Sequence, residues 1–527
     1  MEPVLTAAAM READRLTIET FGLPSFTLME SAGRAAAERI ARYYGPLASK
    51  TVALLCGKGN NGGDGFVVAR MLWAAGARVQ GARVQVVTTG APEAMTDDAA
   101  RNWGLLEKLT EHDPGGRLAL HTFENLHQLA SFSPADLYVD ALLGTGLESD
   151  LRGAVAEIVG WLNRQQTSVV ALDVPTGLQS DTGQILGEAV EAARTLTMAA
   201  PKAGLLLGEG PRVAGKVDVL EIGIPDFALH EALGEKGGTW RATDEDVRAW
   251  LPRRAHNAYK YSVGLGLVVA GSAGMTGAPT MASLAAARSG AGYVVCACAQ
   301  SLQPTLSVKL TEVTSIALPE TSDGGIDADG ALEALEERMA KAQALLVGPG
   351  LGRHPETQRF IRALLRKSDV PTVIDADGLN ALVDHTDEIA EQSGGRWVLT
   401  PHAGEFKRLA GSDVDLTDRL AVAQKYAQRW NSVLVLKGLP SLVGCPDGTV
   451  YINRTGGPAL ATAGTGDVLA GMCTGLLAQG MAPDQAAVAA LHLGGAAADR
   501  YAEHRAARTL LATDLLAELP DVLRERF

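Results

Sequence analysis

The sequence predicts two α/β domains built on largely parallel sheets, and three observations carry that expectation. The chain has 527 residues, more than one ordinary hydrophobic core accommodates. Short apolar runs alternate with helical patterns along its whole length, as strand–helix–strand units do. Each half also places glycine-rich loops directly after apolar runs, so two sites are expected rather than one shared cleft.

In the first half the strand-like runs fall at 52–56, 84–88, 137–140, 169–173 and 217–222. In the second they fall at 266–270, 293–297, 344–347, 372–375, 397–400 and 433–436. Residues 224–241, with Gly-Glu-Lys-Gly-Gly at 234–238, are the expected linker, which sets domains at 1–228 and 240–527. A direct repeat, Gly-Ala-Arg-Val-Gln at 76–80 and again at 81–85, reads as a small duplication lengthening a helix-to-strand turn. A five-residue shift reverses side-chain parity, so both copies cannot share one strand register.

Hydrophobic residues make up 46% of the chain and charged residues 20%, the balance of a well-packed soluble protein. The net charge of −14 argues against nucleic acid, whose phosphates need clustered Lys and Arg. It leaves room for a nucleotide held by backbone amides and helix N-termini. No stretch approaches the roughly 18 apolar residues of a membrane span. The opening residues carry both charge signs and lack the apolar core of a signal peptide. Five cysteines, scattered among apolar neighbours, read as buried small hydrophobes of a reducing compartment, so a cytoplasmic location is expected. Cys296 and Cys298 have the spacing of a metal pair but lie in an apolar run and read as strand.

The first candidate site begins at residues 52–65, a buried strand running through Gly57 and Gly59 into Asn60, Asn61, Gly62, Gly63 and Asp64, then a helix over 66–73. Glycines let a backbone approach a ligand, and the helix start offers unpaired N–H groups. Two more strand ends add oxygen donors, Asp140 before Gly144-Thr145-Gly146 and Asp173 before Pro175-Thr176-Gly177. In a parallel sheet all three segments point to the carboxyl ends of the strands, where ligands bind. These motifs, with Leu28-Met29-Glu30-Ser31-Ala32-Gly33 and Ala200-Pro201-Lys202, resemble the NAD(P)H-hydrate epimerases over about residues 3–225. The resemblance implies a Rossmann-like three-layer α/β/α fold and a potassium ion held by Asn61, Asp140 and Thr176. It further implies that Asn60 to Asp64, Asp173 and the loop Gly144, Thr145, Gly146, Leu147, Glu148, Ser149 and Asp150 bind a hydrated nicotinamide cofactor. Epimerisation at a hydroxylated carbon needs acid–base help, for which Asp173 and Lys202 are the candidate pair. A capping carboxylate at 173 and a solvated surface lysine at 202 are the plain alternatives.

The second candidate site is carried by Ala-Thr-Ala-Gly-Thr-Gly-Asp-Val-Leu-Ala-Gly at 461–471, which sets two glycines and Asp467 at the start of an apolar helix running to about 479. Such a helix end stabilises a phosphoryl group in transfer while the acid takes the attacking hydroxyl's proton. An N-capping Asp without catalytic role is the alternative. Strand-end loops at 270–278, 347–352, 374–380 and 400–406, with Leu436-Lys437-Gly438, complete a set that resembles the ribokinase-like NAD(P)H-hydrate dehydratases over about residues 245–520. The resemblance implies that Ala278, Gly352, His402 and Asp467 contact the hydrate. It places ADP or ATP, with magnesium, near Lys437, Gly438, Leu439, Pro440, Ser441 and Gly466. Many relatives carry a Thr shortly after Lys-Gly; this chain has Leu439-Pro440-Ser441 instead. His402 could otherwise be a satisfied loop histidine.

The fused pair implies repair of hydrated NADH and NADPH, by epimerisation of the R and S hydrates and dehydration of the S form through phosphorylation at C6. The partners expected are these small molecules, in a homo-oligomer without nucleic acid or membrane. Two other readings stay open at this point: a ribokinase-like sugar or vitamin kinase, and a first half that only binds nucleotide without turning it over.

Overall fold

The computed structural model of the protein describes residues 1–47, 50–76, 83–113, 115–131, 134–234 and 237–527. It divides into two compact units, residues 3–235 and residues 236–527 with 1–2. The break lies inside the stretch expected as linker, yet much of that stretch is regular, with a helix at Asp226–Leu233 and a strand at Thr239–Arg241. Leu229 accounts for the helix, because it is buried in a cluster with Leu5, Met10, Ala13 and Ala200. A domain end at 228 therefore falls within an element of the first unit. Most of the direct repeat, residues 77–82, lies outside the described residues; Arg83, Val84 and Gln85 of its second copy open a strand.

The first unit has seven parallel strands: β1 (Thr51–Cys56), β2 (Arg83–Thr88), β3 (Leu118–Thr122), β4 (Leu137–Ala141), β5 (Val169–Leu172), β6 (Arg194–Met198) and β7 (Lys216–Leu220). Their order is β3-β2-β1-β4-β5-β6-β7, so the chain reverses direction across the sheet between β1 and β4. A doubly wound sheet opens its ligand crevice at such a switch point. Alternate residues of β1 feed opposite faces: Val52, Leu54 and Cys56 enter one buried cluster, Ala53 and Leu55 another. Apolar packing on both faces makes the unit three-layered.

The second unit holds β8 (Thr239–Arg241), β9 (Leu265–Val269), β10 (Tyr293–Ala299), β11 (Thr314–Leu318), β12 (Ala344–Val347), β13 (Thr372–Ile374), β14 (Trp397–Leu399), β15 (Val433–Leu436), β16 (Leu442–Gly444) and β17 (Val450–Ile452). The order is β8-β17-β16-β15-β14-β13-β12-β9-β10-β11, parallel from β15 to β11; β16 pairs antiparallel with both β15 and β17, and β17 pairs parallel with β8. The parallel strands β9, β12, β13, β14 and β15 are buried throughout, which is why they read as unbroken apolar runs. Two helices, Gly277–Arg288 and Thr465–Ala478, pack closely because Gly471 and Gly475 lack side chains. A Cβ at either would collide with the carbonyls of Ala282 or Ala286. Cys296 and Cys298 are buried in β10 as free thiols. Among the described residues, no helix is long and apolar enough to cross a membrane.

Candidate active sites

The glycine-rich turn after β1 is more helical than its composition implies. The helix expected over 66–73 spans Asn60–Gly76. Gly62 packs on the Gly57 carbonyl and Gly57 on that of Leu142, where any Cβ would collide. Without side chains at these positions the helix can begin against the end of β4. Gly62 and Gly63 are buried, and the Asn60 side-chain oxygen accepts from the Thr96 hydroxyl at 2.9 Å. Asn61 is different: both polar atoms of its side chain are buried without a hydrogen-bond partner. A native fold does not leave a whole amide orphaned without reason. A Cβ on Gly144 would sit 3.6 Å from Asn61 and 3.5 Å from Asp173 Oδ2, so these three positions share one pocket wall.

Asp140 is the next-to-last residue of β4 and fully buried. Burial pushes its carboxyl up to about 6, against hydrogen bonds from the Thr176 N–H (2.8 Å), the Thr176 hydroxyl (2.7 Å) and the Leu142 N–H (3.2 Å). The Thr145 carbonyl accepts from Ser180 at 3.2 Å, while Gly146, Glu148, Ser149 and Asp150 are exposed and Leu147 is half-buried.

Asp173 has a φ of 62°, a conformation costly for a residue with a side chain. Its Oδ1 accepts from Lys202 Nζ at 2.5 Å and from the Met198 N–H at 3.2 Å. Lys202 is 0% exposed and also donates to the Met198 carbonyl at 2.7 Å. It is a buried ion-pair partner, and the solvated-lysine alternative falls. Two more acids lie in the field of this pair. Burial, with the charges of Asp173 and Asp14, holds Asp64 well above the usual carboxylate range. Burial likewise pushes Asp14 up to about 6, with Lys202 pulling the other way. Asp14 was not singled out in the sequence. It sits in helix Ala7–Arg15 two turns from Ala7, on the stripe that buries Ala7 and Met10, and a parallel bridge joins nearby Leu5 to Lys202.

In the second unit the ends of β13, β14 and β15 converge. Lys437 Nζ donates to Asp375 Oδ1 at 3.0 Å and lies 3.8 Å from Glu405 Oε2; the Thr400 hydroxyl donates to the same Asp375 oxygen at 2.8 Å. Burial works against the Lys437 charge, but Asp375, Glu405 and Asp467 outweigh it and raise its pKa. Asp467 stands in the first turn of helix Thr465–Ala478. Burial, with Asp375 and Glu405, pushes its carboxyl up to about 6 while Lys437 pulls it down. A Cβ on Gly466 would be 3.4 Å from Lys437 Nζ, so the lysine reaches the helix start. Asp375 and Glu405, which lie in the strand-end loops 374–380 and 400–406, prove to be the immediate partners of Lys437.

His402 caps the helix Ala403–Ala410. Its Nδ1 accepts from the Gly404 and Glu405 N–H groups at 3.0 and 3.3 Å, and the Glu405 carboxylate accepts from the His402 N–H at 2.9 Å. The ring remains more than half exposed, with its Nε2 3.5 Å from Glu405 Oε2. On the opposite wall, a Cβ on Gly350 would lie 3.2 Å from Ala278, and the Gly352 N–H donates to Asp377 at 2.8 Å. Met281, three residues on from Ala278 in the same helix, packs on Gly464 and links this wall to the Asp467 helix. In the loop after β15, Ser441 turns its hydroxyl inward, accepting from the Gly438 N–H at 3.3 Å and donating to the Gly438 carbonyl at 3.1 Å, while Leu439 is exposed and joined to Pro440 by a cis peptide bond.

Comparison with known proteins places both halves. A family profile described as NAD(P)H-hydrate dehydratase matches residues 266–521, and one described as YjeF-related protein N-terminus matches residues 25–204. The bifunctional NAD(P)H-hydrate repair enzyme of Salinibacter ruber is 55% identical over 529 residues, covering 100% of this chain and 97% of that protein. The protein of the same name from Moorella thermoacetica is 41% identical, covering 99% of this chain and 96% of its own. A crystal structure of the ADP/ATP-dependent NAD(P)H-hydrate dehydratase from Bacillus subtilis, co-crystallized with ATP/Mg2+, is 32% identical, covers 54% of this chain and 98% of that one, and aligns with a TM-score of 0.45.

Proposed function

The chain belongs to the bifunctional NAD(P)H-hydrate repair enzymes, and from that premise we propose how its two sites divide the work. The first unit interconverts the R and S hydrates of NADH and NADPH. The second dehydrates the S form with ADP or ATP, so both epimers drain to NAD(P)H.

In the first site the hydrate binds between residues 60–64, the loop 144–150 and Asp173. Asp173 and Lys202 exchange the proton that epimerisation requires, since their 2.5 Å contact lets one hold what the other gives up. Asn61, Asp140 and Thr176 would hold potassium. The donors are hard oxygens, which suit an alkali cation, and the orphaned Asn61 amide is the buried group that an ion and its ligand would satisfy. Bound there, potassium would offset the charge of Asp140.

In the second site Asp467 takes the proton of the C6 hydroxyl. The hydroxyl oxygen bonds to the terminal phosphorus as the bond to the bridging oxygen breaks, leaving AMP from ADP or ADP from ATP. The C6–O bond then breaks, phosphate departs with the bonding pair, and loss of a C5 proton closes the C5–C6 double bond. The nucleotide is consumed because hydroxide leaves poorly and phosphate leaves readily. Ala278, Gly352 and His402 line the hydrate side. Lys437 to Ser441 and Gly466 line the nucleotide side, and magnesium, carried on the phosphates and held by a carboxylate such as Glu405, would neutralise them. The observation that carries this reading is the Asp467 carboxyl at a helix start, beside Lys437 and raised to about 6.

The test is regeneration of NADH absorbance from chemically hydrated NADH with ADP or ATP. A sugar or vitamin kinase would leave a stable phosphoester and no recovered absorbance, and a merely binding first unit would leave the R hydrate untouched. The five cysteines are free and buried, which suits a reducing compartment, and we place the enzyme in the cytoplasm as a homo-oligomer acting on small molecules alone. Light scattering of the purified protein checks the assembly.

A further inference from the structure

The loop after β15 bends over a cation that the sequence motifs do not contain. Arg419 opens the helix Arg419–Arg429. Its Nη2 donates to the Leu436 carbonyl at 3.1 Å and its Nη1 to the Pro440 carbonyl at 2.8 Å, so the guanidinium ties both ends of the arc formed by Lys437, Gly438 and Leu439. A Cβ on Gly438 would stand 2.5 Å from Nη2 and 2.9 Å from Cζ. The middle of the arc thus rests on the guanidinium, and a side chain fits there only if Arg419 moves. The Ser441 hydroxyl closes the arc from its far end through Gly438.

A part-buried arginine ordinarily meets a carboxylate. Arg419 has no ion pair among the described residues; the acceptors it meets are two neutral carbonyls, and burial lowers its pKa with no acid opposing the effect. Lys437, one residue past Leu436, is by contrast ringed by acids. The guanidinium is therefore a positive charge that the polypeptide leaves uncompensated beneath this loop. A guanidinium stays charged when part-buried and presents several N–H donors, which suits it to phosphate oxygens.

We propose that Arg419 is a positioning residue for the nucleotide: it holds residues 437–441 in their arc through two carbonyls and supplies the fixed positive charge that the phosphates of a nucleoside di- or triphosphate meet there. The proposal rests on the reading that this loop takes the nucleotide, and the experiment separates the two. Full-length protein is titrated calorimetrically with magnesium ADP and magnesium ATP, without hydrate. Arg419→Met should weaken binding by about ten- to a hundredfold, the range of losing hydrogen bonds to a charged group. Arg419→Lys, which keeps the charge but cannot span both carbonyls, should fall between. In turnover the nucleotide KM should rise while the hydrate KM and the epimerase rate stay within about twofold; a generally loosened fold would move all three. Gly438→Ala is the control on the loop itself, because its Cβ displaces the guanidinium. If Gly438→Ala weakens ADP binding but both Arg419 variants bind within about twofold of wild type, the role given to Arg419 is wrong. If all three bind normally, the loop is not the nucleotide site and both readings fall. Should Arg419→Met not fold, Arg419→Lys decides by the same criterion.

Discussion

Each unit sets one lysine among three carboxyl groups, and the two arrangements differ in how closed they are. In the first, Lys202 is wholly buried and pinned at 2.5 Å to Asp173, with Asp14 and Asp64 in its field. In the second, Lys437 stays about one-fifth exposed, at 3.0 Å from Asp375 and 3.8 Å from Glu405, with Asp467 beyond. One cation cannot offset three clustered carboxyl groups, so in both places burial and like charge push an acid toward neutral pH. Such a group gives and takes protons at working pH. The closed site suits a proton exchanged at an uncharged part of its ligand, where no new counter-ion has to be admitted. The open one leaves room for a ligand that brings phosphate and its own counter-ion.

The sharpest way to break this comparison is to remove one member from the open site. Asp467→Asn should cut nucleotide-dependent dehydration by roughly 10²–10⁴-fold, the worth of a general base, while epimerisation continues. The wild-type pH profile should agree. A base must be unprotonated, and Asp467 is raised to about 6, so kcat/KM should fall about tenfold per pH unit below that point and level off above it. A variant that keeps a tenth or more of the dehydratase rate takes Asp467 out of the chemistry.

In the closed site the corresponding change is Lys202→Met, which leaves Asp173 without its cation. Epimerisation should drop by about a hundredfold while dehydration of pure S hydrate is unchanged. Because stripping one partner from a buried ion pair also costs stability, thermal melting must accompany the assay. A folded variant that epimerises at the wild-type rate makes Lys202 structural only. A smaller effect is expected at the cation site. Asn61→Ala, or replacement of potassium by lithium, should weaken hydrate binding to the first unit by about tenfold. Equal binding in both salts, with no rubidium or thallium peak near Asn61, Asp140 and Thr176, removes the ion from the account.

The same comparison shows what a sequence can display. Strands buried on both faces, such as β12 and β15, were legible to the residue because apolar runs have no other use. Strand β6 was not, since it buries Thr195 and Thr197 by hydrogen bonding, Thr195 to the Ala214 carbonyl at 2.8 Å, and its pattern reads as polar. Strand β3 escaped because only Leu118 of its five residues is fully buried. Motif residues at or just past strand ends, Asp140, Asp173 and Lys437, and Asp467 at a helix start, announced themselves by position. Asp14 and Arg419 did not, because their roles depend on what a helix packs against. Lys202 left a solvated surface lysine open for the same reason: burial is a tertiary fact, and nothing local distinguishes a lysine with no exposure from one in water. The helix at Asn60 began six residues early because glycine's lack of a side chain permits it, which composition alone reads as loop.

The smallest effect is expected from cutting the chain between its units, and the place of the cut decides the outcome. If the sites work independently, pieces ending at Gly234 and starting at Gly237 should keep their rates within about twofold and, mixed, should convert both epimers completely. A first piece ending at 225 should fare worse. It loses the helix Asp226–Leu233 and with it Leu229, and exposing one such side chain costs about 1.5–3 kcal/mol. Its melting point should drop even where its activity survives. The second piece faces a different loss, because Glu2, which belongs to that unit, accepts from Arg454 at 2.8 Å and lies 3.8 Å from Arg241. Arg454 is half exposed, and its pair is worth at most about 1 kcal/mol. Arg241 is mostly buried, and burial already lowers its pKa against the charge of Glu2, so it is the residue that should suffer. Arg241→Gln in the shortened piece should therefore recover melting temperature, whereas the same change in the full chain should lower it. Separation of the pieces that leaves each folded but silent would mean that the two sites are not the independent units this comparison makes them.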